Sequence, residues 1–80
     1  MPITEIFPRI QMVIAQYLER DPGLLSRENK ISDLEADSLD LIEIILRLED
    51  EFDLDFPDQE LMQLHTIDDL NSLIIRLLQS

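Results

Sequence analysis

Apolar residues recur at three- and four-residue intervals in three separate stretches of this chain, and that period fits an α-helix with one buried face. In residues 4–20 the positions are Ile6, Ile10, Val13, Ile14, Tyr17 and Leu18. In residues 38–52 they are Leu41, Ile44, Ile45, Leu48 and Phe52, and in residues 67–79 they are Leu70, Leu73, Ile74, Leu77 and Leu78. A single glycine and only 5% aromatic residues argue against a turn-rich β architecture. The expected fold class is therefore all-α. It is a small four-helix bundle of three longer helices and one short one, with a long loop between helices one and two, and one domain over residues 1–80. A chain of this size buries only about 60% of its unfolded surface, so one modest core is all it can hold.

The punctuation between these stretches sets the expected boundaries. Thr4 is a candidate N-cap for the first helix, although Pro8 tolerates helix only in the first turn, so the start lies either at Thr4 or near Phe7. Asp21-Pro22-Gly23 is expected to end that helix. Residues 21–36 show no sustained period, with Leu24, Leu25, Ile31 and Leu34 as pegs onto the core and room for one turn near Ser26–Asn29. A connection this long between helices is often functional. Asp37, with Asp40 three residues on, approximates a capping box for helix 38–52. Pro57 suits the first position of a short helix over 57–63, with Leu61 and Leu64 inward, and Thr66 caps the last helix.

Charge narrows the partners. Eighteen acids against six bases give a net charge of -12, a surface that repels nucleic-acid phosphates and anionic lipid. Basic protein surfaces or cations suit it better. The absence of cysteine removes disulfides, thiolate metal sites and cysteine nucleophiles, and suits the cytoplasm. No apolar run approaches the length of a membrane span, and residues 1–5 lack the basic-then-apolar build of a signal peptide. Asp53, Asp55 and Asp58 fail the EF-hand template because Pro57 falls where a ligand should stand. No metal ligands are assigned. His65, the single histidine, lies far from Ser38 in sequence, so no Ser-His-Asp arrangement and no catalytic residue is assigned either.

Helix 38–52 carries more than a core stripe. Leu39, Ile42 and Leu46 fall more than a quarter turn from the buried arc, beside Glu43, Glu49 and Asp50. Apolar knobs in an acidic rim suit a docking face, in which charge steers encounter and apolar contact holds the complex. The alternative is that loop 21–36 folds over this stripe. Ser38 opens the same helix, where serine is often no more than a helix-start residue.

The joined pattern resembles the acyl carrier proteins. Asp33-Leu34 leads to Ala36-Asp37-Ser38-Leu39-Asp40, followed by Glu43, Leu48-Glu49, Glu51-Phe52, Phe56-Pro57-Asp58 and Thr66-Ile67, and the likeness spans about residues 33–70. It implies that a phosphopantetheinyl transferase attaches the 4'-phosphopantetheine of coenzyme A to the Ser38 hydroxyl, beside Asp37. The thiol of the arm would then carry acyl groups as thioesters to acyl-transferring and acyl-modifying enzymes with basic docking patches, the carrier being a monomer and no enzyme itself. By position, Asp37, Leu39, Asp40, Glu43, Leu46, Glu49 and Asp50 match the family's partner-recognition face, to which the second stripe adds Ile42. Leu41, Ile44, Leu61 and Leu64 are the candidates for the groove that shelters the acyl chain.

Departures from the family point to a specialised member. Glu35 stands where the family usually has glycine, and adds charge beside the arm. Leu41 and Leu61 are bulkier than the residues many relatives have there, so the expected groove is narrow and suits short or unusual acyl groups. A fatty-acid, polyketide or related role fits better than a peptidyl carrier, because no Gly-Gly precedes Ser38. The reading from a different class is an unmodified acidic protein-interaction module in which Ser38 only starts a helix.

Overall fold

The computed structural model describes residues 2–79. Met1 and Ser80, the two ends of the expected domain, lie outside the described residues. The all-α expectation is borne out: α1 spans Ile6–Leu18, α2 Ser38–Phe52, α3 Asp58–Leu61 and α4 Ile67–Gln79. Among the described residues there is no strand, only an isolated antiparallel bridge between Lys30 and Thr66. Among the described residues no helix is long and apolar enough to cross a membrane.

The predicted apolar faces meet in one core. Ile6, Ile10 and Ile14 of α1, Ile44, Leu48 and Phe52 of α2, and Ile67, Leu70, Leu73 and Ile74 of α4 are buried together, with Leu25, Leu34 and Phe56 from the connections. Burying a side chain of this size stabilises by about 1.5–3 kcal/mol, so this cluster is the main adhesive of the bundle. Two residues expected to face inward do not: Leu24, expected as a peg of the long connection, and Leu78, expected on the apolar face of the last helix, are exposed.

Several boundaries differ from expectation, each for a local reason. Thr4 does not cap α1; a 3-10 turn over Ile3–Glu5 leads directly into Ile6, and Pro8 falls in the first turn, where its missing N–H costs nothing. The helix ends before Asp21-Pro22-Gly23 is reached. Glu19 turns left-handed (φ 57°) and the Arg20 N–H reaches back to the Ala15 carbonyl at 2.9 Å. Asp53 closes α2 in the same way, with φ 54° and Leu54 N–H to Glu49 O at 3.0 Å. The short helix is narrower than residues 57–63, because Pro57 is extended and serves as its N-cap. Thr66 caps α4 as expected. Its hydroxyl accepts from the Asp69 N–H, while the Asp69 carboxylate accepts from the Thr66 and His65 N–H groups. Those backbone bonds, Thr66's foremost, hold the Asp69 carboxyl below the usual 3.8.

The long connection is tied down along its backbone. Ile31 N–H donates to His65 O at 2.7 Å, Ile67 N–H to Asn29 O at 3.0 Å and Asp68 N–H to Arg27 O at 2.9 Å, so residues 27–31 run alongside the entry to α4. The Arg20 guanidinium donates to Leu34 O at 2.5 Å, and the Gln11 amide to Leu25 O at 2.7 Å. The connection thus lies against α1 and the start of α4, and leaves the second stripe of α2 uncovered.

Glu35 is the third residue in the left-handed region, at φ 57° and ψ 29°, closing the 3-10 turn Ile31–Leu34. A side chain there is strained, and glycine is at ease. Glu35→Gly is therefore expected to stabilise the fold by about 0.5–1 kcal/mol after the added unfolded-chain entropy is counted, raising the thermal midpoint by about 2–8 °C. An unchanged or lower midpoint would show that the glutamate side chain compensates for its backbone.

Candidate functional site

Asp37 and Asp40 define the start of α2. The Asp37 carboxylate accepts from the Asp40 N–H at 2.8 Å, and the Asp40 carboxylate accepts from the Asp37 N–H at 3.3 Å, a reciprocal capping box. Asp37 therefore does the capping that a serine often does. Ser38, one residue inside, is exposed and its hydroxyl has no hydrogen bond among the described residues. The result is an uncommitted hydroxyl on the first turn of a fifteen-residue helix, beside backbone N–H groups and the positive end of the helix dipole. Such a setting fits a phosphodiester.

The other oxygen of Asp40 faces α1, where the Tyr17 hydroxyl donates to it at 3.0 Å. The Arg47 guanidinium lies 5.0 Å from the Tyr17 ring centroid and 3.3 Å from the Glu43 carboxylate, one helical turn away. Tyr17 was read from the sequence only as a core position, and its contact with Arg47 was not foreseen. The signal available was their fit on the α1 and α2 wheels, but nothing in the sequence told that these two arcs adjoin.

The second stripe of α2 is exposed as its spacing suggested: Leu39 at 75%, Ile42 at 56% and Leu46 at 51%. The acids beside it differ in their engagements. Glu43 is paired with Arg47. Glu49 accepts from the Phe56 N–H at 2.8 Å and so staples the α2–α3 turn. Asp50 is exposed, and with Glu49, Asp53 and Asp55 it lines a surface hollow of about 540 Å³.

Leu41, Ile44, Leu61 and Leu64 come together in one apolar cavity of about 460 Å³. Its further walls include Ile14, Leu34, Phe56 and Leu70, and Ile42, Leu46 and Glu49 of the exposed stripe also line it. The cavity thus reaches the same helix face that carries the acids. Elsewhere, no three His, Asp or Glu side chains converge as metal ligands among the described residues, and His65 is exposed on the connection into α4.

Comparison with known proteins agrees with this geometry. Residues 8–74 match the family described as phosphopantetheine attachment site. The acyl carrier protein of Lactobacillus acidophilus is 44% identical over 71 residues, covering 88% of this chain and 89% of that protein. That of Bdellovibrio bacteriovorus is 39% identical over 70 residues, covering 86% and 90%. Among solved structures, the acyl carrier protein of Thermotoga maritima superposes with a TM-score of 0.82 at 25% identity, over 99% of this chain and 93% of that one.

The Tyr17–Asp40 bond gives a direct test of this arrangement. The bond, then partial burial and the charges of Asp40 and Glu43, raise the phenol above its ordinary 10.0, with Arg47 opposing. A raised phenol pKa means that the fold favours the neutral form. The stabilisation is present below the ordinary phenol pKa and is lost as pH rises through the folded one. Tyr17 is the single tyrosine and there is no tryptophan, so phenolate absorbance reports it alone. Its midpoint is expected above 10.0 in the wild type and nearer that value in Asp40→Ala. Equal midpoints would show that the bond does not persist in solution.

Proposed function

The chain belongs to the acyl carrier proteins, a family of carriers rather than enzymes that bear a covalent 4'-phosphopantetheine, and on that premise we propose that Ser38 is where the arm is attached. The carrying observation is the division of labour at the start of α2: Asp37 caps the helix, so the Ser38 hydroxyl is left exposed and unbonded. A transferase can approach it without breaking any interaction of the fold. Once formed, the phosphodiester sits at the positive end of α2. The arm holds its thioester at high effective concentration near whichever enzyme has docked.

The same proposal gives the rest of the domain, residues 1–80, two further tasks. The cavity between α2, α3 and α4 shelters the acyl chain, with Leu41, Ile44, Leu61 and Leu64 on its walls. At about 460 Å³ it lies toward the small end of ligand cavities. Leu41 and Leu61 fill space that smaller residues would leave open, which supports a carrier for short or unusual acyl groups. The exposed face of α2 receives the transferase and acyl-handling enzymes with basic docking patches. There Leu39, Ile42 and Leu46 make the apolar contact, and Asp40, Glu43, Glu49 and Asp50 supply the field. The role fits fatty-acid, polyketide or related biosynthesis, and a cysteine-free chain suits work in the cytoplasm.

Incubation with coenzyme A and a broad-specificity phosphopantetheinyl transferase is expected to add the mass of one arm to the intact protein. Ser38→Ala should abolish the gain while leaving the helical signal unchanged. An unaltered wild-type mass, under conditions that load a control carrier, would favour the unmodified interaction module. For the cavity, a structure carrying a long acyl chain wholly buried between α2 and α4 would overturn the proposal of a narrow groove.

A further inference from the structure

Arg47 interrupts an otherwise acidic helix face, and the structure fixes where its charge goes. Its guanidinium rests against the Tyr17 ring and against Glu43 while keeping about half of its side chain in solvent. No other base lies on α2. Glu43 is the acid at the middle of the exposed face, so its field is cancelled locally. The acids toward either end keep theirs. Asp37 and Asp40 flank Ser38; Glu49, Asp50, Asp53 and Asp55 line a hollow toward the far end, with Glu43 and Leu46 at its inner edge. Asp37 and Asp50 are thirteen residues apart in sequence, hence about 20 Å along the axis. The face therefore has a negative lobe at each end, and the far one is neutralised at its inner edge, where Arg47 pairs with Glu43.

Resting on the proposed function, we propose that Arg47 is a specificity residue: the face fits an acyl-handling enzyme that seats a basic side chain in the far hollow and presents a carboxylate, not another base, opposite Arg47. A partner with a continuous basic strip finds no free acid at that inner edge, where Glu43 is already paired, and sets its own base beside the exposed part of the Arg47 guanidinium, a mismatch that works against wrong partners. Restraint by Tyr17 and Glu43 keeps the guanidinium in place instead of letting it swing away.

The test uses the full-length protein loaded at Ser38 and, as probe, a malonyl-CoA transacylase of general fatty-acid synthesis whose docking patch is entirely basic. Arg47→Gln, Arg47→Glu and Arg76→Gln are compared with wild type. Arg76 pairs with Glu60 on α3 and makes a control of equal net charge for Arg47→Gln. KM for the carrier is expected to fall about threefold in Arg47→Gln and about tenfold in Arg47→Glu at low salt, with kcat little changed. The gain should vanish at high salt, and Arg76→Gln should show none. An unchanged or raised KM in both Arg47 variants, or an equal gain in Arg76→Gln, overturns the assignment while leaving the carrier function intact. Failure of Ser38 to load at all overturns both.

Discussion

The reciprocal hydrogen bonds between Asp37 and Asp40 are what the rest of the structure depends on. They satisfy backbone donors at the start of α2, fix the angle at which the chain enters the helix, and relieve Ser38 of the capping role its residue type would otherwise suit. Because Asp40 also accepts from Tyr17, the same carboxylate anchors the tip of α2 to α1. One side chain thus joins a local helix signal to the packing of two elements. The Ser38 hydroxyl therefore stands on a corner tied to two helices.

The core and an exposed apolar stripe divide α2 between them. Ile44, Leu48 and Phe52 point inward; Leu39, Ile42 and Leu46 point outward. Ile42 and Leu46 sit at the seam, lining the cavity while remaining more than half exposed. On the proposed function, a partner that covers this seam would approach the acyl chain and the arm at once, coupling docking to cargo access by placement on one helix. Glu49 belongs to the seam as well. Its bond to the Phe56 N–H holds the turn that forms one wall of the cavity.

Most of this was legible in the sequence where a pattern is local. The three long helices follow from apolar period, and the caps at Asp37 and Thr66 from residue type three positions ahead of an acid. The second stripe of α2 was visible because two arcs cannot both face one core. Features set by tertiary contact were not. The end of α1 depends on Glu19 adopting a left-handed conformation, which glycine takes far more readily than glutamate, and the stronger breakers Pro22 and Gly23 drew the boundary too far along. Leu24 reads like Leu25, yet only Leu25 is buried, because the Pro22–Leu24 turn faces one of them outward. Tyr17 and Arg47 lie thirty residues apart in sequence, and only the α1–α2 packing brings them together.

The most direct test of the account follows backbone amides by NMR while the arm is attached. If Asp37 caps α2 and Ser38 alone receives the phosphodiester, loading shifts the Ser38 and Leu39 amide resonances most. The Asp40 amide, held by the Asp37 carboxylate, keeps its protection from hydrogen exchange throughout. Loss of Asp40 protection on loading, or shifts centred away from the start of α2, would contradict the claim that capping and carrying are divided between these two neighbours.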